Sequence, residues 1–184
     1  MQPVSVLGIS GSLRKGSFNT ALLRAAAGVA PAGMSISTAD ISQLPFYDGD
    51  LEASAGIPAA AEALRARIRA ADAVLIATPE YNGSFSGALK NAIDWCSRAP
   101  DQVFAAKPVA IMGASGGALG TVRSQLHLRE VLTMLDARLV SAPQVFVGAA
   151  HNKIEDGVLK DEPTLGFIRT LLDNLAGWVA TLRV

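Results

Sequence analysis

The chain has little of what several large protein classes require. One cysteine in 184 residues excludes a disulfide framework and the usual multi-cysteine zinc site. Charged residues make up only 17%, and 16 basic side chains offset 16 acidic ones. The formal net charge is zero, so the basic excess of a nucleic-acid-binding surface is missing. No apolar run approaches the roughly 18 residues that span a bilayer, and MQPVSVLGIS has no basic leader region. The expectation is a cytoplasmic protein with neither a membrane nor a nucleic-acid partner. His127 and His151 stand without cysteine or carboxylate clusters at ligand spacing, so they read as structural or surface residues and no metal site is expected.

What is present is apolar material. Hydrophobic residues are 50% of the chain, which argues against disorder and for one core-rich domain spanning 1–184. Short apolar runs at 4–9, 34–41, 73–78, 108–113 and 139–147 read as strands. Helical patterns fall at 18–30, 58–71, 87–98, 119–136 and 163–182. Several strands are apolar on both faces, as in a parallel sheet covered on both sides. Five strands alternating with five helices predict an α/β fold: a doubly wound five-stranded parallel sheet, flavodoxin-like, in the order 2-1-3-4-5. In such a sheet, ligands sit beyond the carboxyl ends of the strands where the winding reverses.

That rule selects the loops at 10–17, 79–86 and 113–120. The first, S-G-S-L-R-K-G-S followed by F-N-T, places a helix start beside Ser10, Ser12, Ser17, Asn19 and Thr20, with Arg14 offering a planar fork. Unpaired N–H groups and the positive end of the helix dipole favour an anion there. The same residues also read as an ordinary N-cap, with Ser17 capping and Arg14 solvated. A Walker loop is absent, and the lone Cys96 lies in a later helix, so nothing in this loop would attack a phosphate. In the second loop, T-P-E-Y-N-G-S-F-S, Tyr81 offers a flat surface, while Asn82 and Ser84 can bond the edge of a planar ring. The alternative is a loop packed by its own tyrosine with Glu80 exposed. The third, G-A-S-G-G-A-L-G-T, reads either as a flexible strip of backbone donors or as a glycine-rich turn. Its spacing is not a dinucleotide fingerprint.

GSLRKGSFN, PEYNGS, the LKNAIDW helix and GASGGALG-x-V-R-x-Q-x-H-L-R occur in one order along nearly the whole chain. Together they resemble the NADPH-dependent FMN reductase family, and within it the bacterial quinone and chromate reductase branch. The resemblance implies an FMN cofactor, NADPH or NADH as reductant, and a homodimer or homotetramer. It implies a phosphate set of Ser12, Arg14, Ser17, Asn19 and Thr20. Pro79, Glu80, Tyr81, Asn82, Gly83 and Ser84 would follow the ribityl chain and isoalloxazine, and Ser115, Gly116 and Gly117 would close the other side. Gly83 stands where some members carry a bulky aromatic, implying a more open pocket. Leu126 replaces a tyrosine common in tetramer-forming reductases, which bears against the tetramer more than the dimer.

The implied activity is hydride transfer from NAD(P)H to bound FMN, then two-electron reduction of quinones or similar acceptors such as chromate, ferric complexes and azo compounds. The flavin carries that chemistry, so no catalytic side chain is expected from the protein. Backbone donors near Asn82, Gly83 and Gly116 would stabilise charge on the reduced ring. Arg98 reads as a helix-end cation, or as a contact for a nicotinamide phosphate or anionic acceptor. Apolar residues spread widely around helix 119–136, which with Trp95 suggests a subunit interface; an internal helix covered on both sides is the alternative. A flavodoxin-type electron carrier is the rival function, although such carriers are usually strongly acidic. A flavin-free Rossmann dehydrogenase is a second rival.

Overall fold

The computed structural model describes residues 2–183. Along the chain, β1 (Val4–Ser10) leads through α1 (Phe18–Gly28) to β2 (Met34–Ala39). Then α2 (Gly49–Ala55) and α3 (Ala59–Ala70) precede β3 (Ala73–Ala77), and α4 (Gly87–Cys96) precedes β4 (Pro108–Ala114). After α5 (Val122–Met134) come β5 (Arg138–Leu139), β6 (Val145–Val147), a hairpin of β7 (Ile154–Glu155) and β8 (Val158–Leu159), and α6 (Glu162–Leu182). The main sheet is parallel in the order β2-β1-β3-β4-β5, the doubly wound, flavodoxin-like order expected from the alternation.

Alternation within the strands divides the helices between two faces. Val6, Leu75, Ala77, Ala110 and Met112 point to one side and pack with Leu22 and Leu23 of α1 and with Leu171, Leu172 and Leu175 of α6. Leu7, Ile9, Val74, Ile76 and Ile111 point to the other and pack with α3, α4 and α5 through Ile68, Ile93 and Leu128. β3 and β4 are buried at every residue because both faces are covered, whereas the edge strand β2 is not. Helix starts are set by local acceptors. Ser17 caps α1, Ser86 caps α4, and Asp161 caps α6 one residue before its first turn, which also holds Pro163.

The structure departs from the expected pattern in four places. The fifth strand is two short pieces: β5 pairs with the start of β4 and β6 with its end. Between them lie Ala142 and Pro143; proline has no N–H for the ladder, and the Ala142 carbonyl turns instead to Asn174 Nδ2 at 2.8 Å. The helix expected from 119 starts at Val122, because 115–120 is bonded to the chain after β6. Helix α2 brings the α-helices among the described residues to six rather than five, and the β7–β8 hairpin is also additional; α2 buries none of its residues, so it leaves no apolar stripe to read. Trp95, expected at a subunit interface, is fully buried by its own chain, with Nε1 donating to Pro45 O at 2.8 Å and Tyr47 edge-on at 5.0 Å.

One ionic clamp ties the last helix to the amino ends of the strands. Asp72, just before β3, accepts from Ser5 N and Ser5 Oγ, each at 2.7 Å, and pairs with Arg183 at 2.6 Å. Partial burial pushes the Asp72 carboxyl up, but the bonds from Arg183 and Ser5 outweigh it and hold the pKa at about 2, below its ordinary 3.8. A lowered folded-state pKa contributes stability above the ordinary value, and that contribution is lost as pH falls toward 2. Asp72→Asn is therefore expected to reduce unfolding free energy at pH 7 by about 1–2 kcal/mol after solvent screening. It should also flatten the loss of stability between about pH 4 and 2, read from urea midpoints across pH.

Candidate functional site

The first loop is organised by its own serines. Ser17 Oγ accepts the N–H groups of Asn19 and Thr20, each at 3.2 Å, so the N-cap reading describes its geometry. The Phe18 N–H has no partner among the described residues and borders the cleft that the loop encloses. Asn19 is buried and reaches across the sheet: Nδ2 donates to Ala114 O at 3.0 Å and Oδ1 accepts Ala114 N at 2.9 Å. Its amide is thus committed to the end of β4. Arg14 is exposed at the mouth of the cleft.

The second loop contains a two-residue hairpin turn. Tyr81 N donates to Ser84 O at 2.9 Å, Ser84 N donates to Tyr81 O at 3.1 Å, and Asn82 and Gly83 between them have φ of 52° and 75°. Positive φ at both central residues is the type I′ turn, for which Asn-Gly is the preferred pair. The dipeptide itself was the available sequence signal for this turn. Two hydrogen-bond contacts fasten it to α5, and Arg123 packs close by. Glu80 Oε2 accepts Ser124 N at 3.1 Å, Ser84 Oγ lies 3.1 Å from His127 Nδ1, and Arg123 Cδ lies 3.5 Å from where a Gly83 side chain would begin. Glu80 sits at the α5 N-terminus, where a carboxylate is favoured by the dipole.

The third loop is tied at its ends to the chain around β6. Ser115 N donates to Val147 O, Ala149 N to Gly117 O and Ala150 N to Ser115 O, each at 3.0 Å, while Ser115 Oγ donates to Gly120 O at 2.6 Å. Beneath it, Thr78 and Ser124 share a buried hydroxyl contact at 2.8 Å, and Ser124 Oγ also reaches Pro79 O at 2.8 Å. Gly113 makes this junction possible: a Cβ there would collide with Thr121 Oγ1 and the Thr78 carbonyl.

The three loops meet at the β1/β3 reversal point in a cleft of about 100 Å³ lined by Ser12, Arg14, Ser17, Asn19, Pro79, Glu80, Tyr81, Ser115 and Gly116. Tyr81 crosses it, with its hydroxyl 3.4 Å from Ser12 Oγ and its side chain 47% exposed. Asn82, Gly83, Ser84 and Gly117 are adjacent but outside this lining. Thr20 turns away: its Oγ1 donates to Ser10 Oγ at 3.1 Å, and it faces a separate cleft toward β2. Arg98 belongs to neither; it donates to Asp94 O at 2.7 Å and lies 4.8 Å above the Tyr47 ring, as a helix-end cation does. A larger groove of about 450 Å³ beside α6, lined by Ala142, Asp173 and Trp178, is remote from all three loops.

Comparison with known proteins places this geometry. Residues 4–152 match the family described as NADPH-dependent FMN reductase. The chain is 51% identical over 181 residues to an NAD(P)H-dependent FMN reductase of Pseudomonas aeruginosa, covering 98% of this chain and 97% of that protein. The chain belongs to the NADPH-dependent FMN reductase family. A quinone reductase of Escherichia coli is 41% identical over 186 residues, covering 100% of this chain and 99% of that protein. Among solved structures, the flavoenzyme FerB, an NAD(P)H:acceptor oxidoreductase of Paracoccus denitrificans, superposes with a TM-score of 0.86 at 33% identity, covering 97% of this chain and 98% of FerB. The protein is accordingly an NAD(P)H-dependent oxidoreductase that uses FMN.

For this family member, the positive φ at Gly83 has a measurable cost. Gly83→Val is expected to lower stability by about 1–2 kcal/mol, because a β-branched residue resists the left-handed region. Gly83→Asn should cost clearly less in the same urea titration.

Proposed function

We propose that the chain is a single FMN-binding domain that passes electrons from NAD(P)H to quinones, with the flavin seated at the cleft where its three loops meet. The observation that carries this reading is that convergence. An anion-favouring helix start, an exposed tyrosine face and a glycine-containing loop adjoin one another at the reversal point of the sheet. The donor set suits FMN. Hydroxyls of Ser12 and Ser17, the Phe18 N–H and the Arg14 guanidinium are the kinds of group that hold a phosphate, and about 100 Å³ accommodates that end alone.

Bound FMN supplies the chemistry, accepting hydride from NAD(P)H and delivering two electrons to an acceptor. The protein's task is to bind and orient. Ser12, Arg14, Ser17 and Phe18 would hold the phosphate, with Asn19 fixing the helix start against β4 and Thr20 steadying Ser10 behind the loop. Pro79, Glu80 and Tyr81 would follow the ribityl chain. The Asn82–Gly83 turn and Ser84 would meet one side of the ring, and Ser115, Gly116 and Gly117 the other. Glu80 is occupied at the α5 N-terminus, so its role is to position the second loop rather than to transfer a proton. Quinones are the acceptor class because a relative that matches this chain end to end is named for them. A cytoplasmic location, beside the reduced pyridine nucleotides, goes with this reading; among the described residues no helix is long and apolar enough to cross a membrane.

Anaerobic titration of the flavin-loaded protein tests it. NADPH or NADH alone is expected to bleach the flavin absorbance, and a quinone to restore it; a flavodoxin-type carrier would stay oxidised without a protein partner. Arg14→Ala should weaken FMN binding about tenfold without changing the melting temperature, since the exposed side chain stabilises the phosphate and not the fold.

The same proposal includes a homodimer rather than a tetramer. Leu13, Tyr81, Leu119 and Leu126 are large apolar side chains between 47% and 68% exposed, all on or next to the three loops and α5. The enclosed volume is too small for a whole flavin, so a second copy on this face would both cover the apolar residues and shelter the ring. Leu126→Asp is expected to shift the sedimentation profile from dimer to monomer while the monomer stays folded.

A further inference from the structure

A second cleft adjoins the first and shares a wall with it. It lies between the β1 loop and the carboxyl end of β2, encloses about 310 Å³, and has Ser12 in common with the smaller cleft. Its apolar surface comes from Leu13, Leu23 and Ile41, and its polar edge from Thr20, Thr38 and Asp40. Asp40 stands at the end of β2 with its carboxylate held in place by Ser42, whose N–H and Oγ donate at 2.8 and 2.9 Å. These two bonds hold its pKa below the usual carboxylate value. The carboxylate is ionised at neutral pH, and each oxygen accepts one bond from Ser42 and has room for another.

The chemistry of this cleft differs from that of its neighbour. A carboxylate repels phosphate but accepts well from a vicinal diol, and the apolar surface suits an aromatic base. In dinucleotide-binding sheets whose first loop reads G-x-G-x-x-G, an acidic side chain at the end of the second strand, roughly 20 residues on, bonds an adenosine ribose. The first loop here reads G-S-L-R-K-G instead, but Asp40 stands at the same place just after β2. Asp40 follows Gly16 by about 24 positions. We propose that this cleft takes the adenosine end of a dinucleotide flavin, so that the chain accepts FAD as well as FMN. The first phosphate would occupy the Ser12–Ser17 cradle, the second would pass over Ser12 and Leu13, and the ribose hydroxyls would donate to Asp40. The inference rests on the flavin reading above. With the cradle filled by the flavin's own phosphate, a free pyridine nucleotide has no anchor from which to enter the cleft, and the 2′-phosphate of NADPH would face Asp40.

Calorimetric titration of flavin-stripped protein with FMN and with FAD tests the proposal. FAD is expected to bind within about tenfold of FMN. Asp40→Asn should weaken FAD at least about fivefold and leave FMN within about twofold. Thr38→Trp, which fills the cleft from an exposed edge-strand position, should do the same with an unchanged melting temperature. FAD binding more than about tenfold weaker than FMN, or equal losses of both flavins in both variants, would overturn it. So would binding of ADP-ribose to the FMN-saturated protein that Thr38→Trp abolishes, because the cleft would then belong to the pyridine nucleotide. Failure of both flavins to bind the stripped wild type would instead bring down the flavin-cradle reading, and this inference with it.

Discussion

The cleft depends on one side chain that reaches it from behind. Asn19 presents its carboxamide to the backbone of Ala114, giving one hydrogen bond and taking another, as a neighbouring strand would. The two residues are 95 positions apart, and the amide is buried. Unsatisfied, either the amide or the end of β4 would cost on the order of 1–3 kcal/mol in that environment. The pair therefore locks the start of α1 to the end of β4, and with it the anion-favouring loop to the glycine-containing loop. Everything that converges on the reversal point does so around this fixed joint.

A second joint fixes the remaining side. The Thr78–Ser124 hydroxyl contact and the Glu80 carboxylate at the α5 N-terminus hold the second loop against the helix that follows the third. Gly113 supplies the missing volume that lets Thr121 approach the Thr78 carbonyl. The loops thus rest on rigid elements, and a flavin arriving there would meet donors already oriented, which lowers the ordering cost of binding.

Much of the fold was legible because parallel strands buried on both faces leave unbroken apolar runs, and β3 and β4 could hardly be read otherwise. The interrupted fifth strand was not, since Leu139–Val147 reads as one run although Ser141, Pro143 and Gln144 stand in the gap. Helix α2 was missed for want of a buried stripe, and the β7–β8 hairpin because two-residue strands carry no period. In the site, residue types were easier to read than their partners. Asn19 and Thr20 looked like free donors, but one is spent on Ala114 and the other faces Ser10, and sequence alone gives no sign of where a donor points. The Asn82–Gly83 turn was the reverse case, a dipeptide whose geometry is nearly dictated by its composition.

The lone thiol has a consequence for an enzyme proposed to handle quinones, which are electrophiles as well as oxidants. Cys96 is buried at the end of α4, and burial pushes its pKa up to about 12. Almost none of it is thiolate at neutral pH, and the thiolate is the form that adds to electron-poor rings or exchanges with disulfides. The protein therefore presents its acceptors with a flavin to oxidise and no reactive thiol to alkylate.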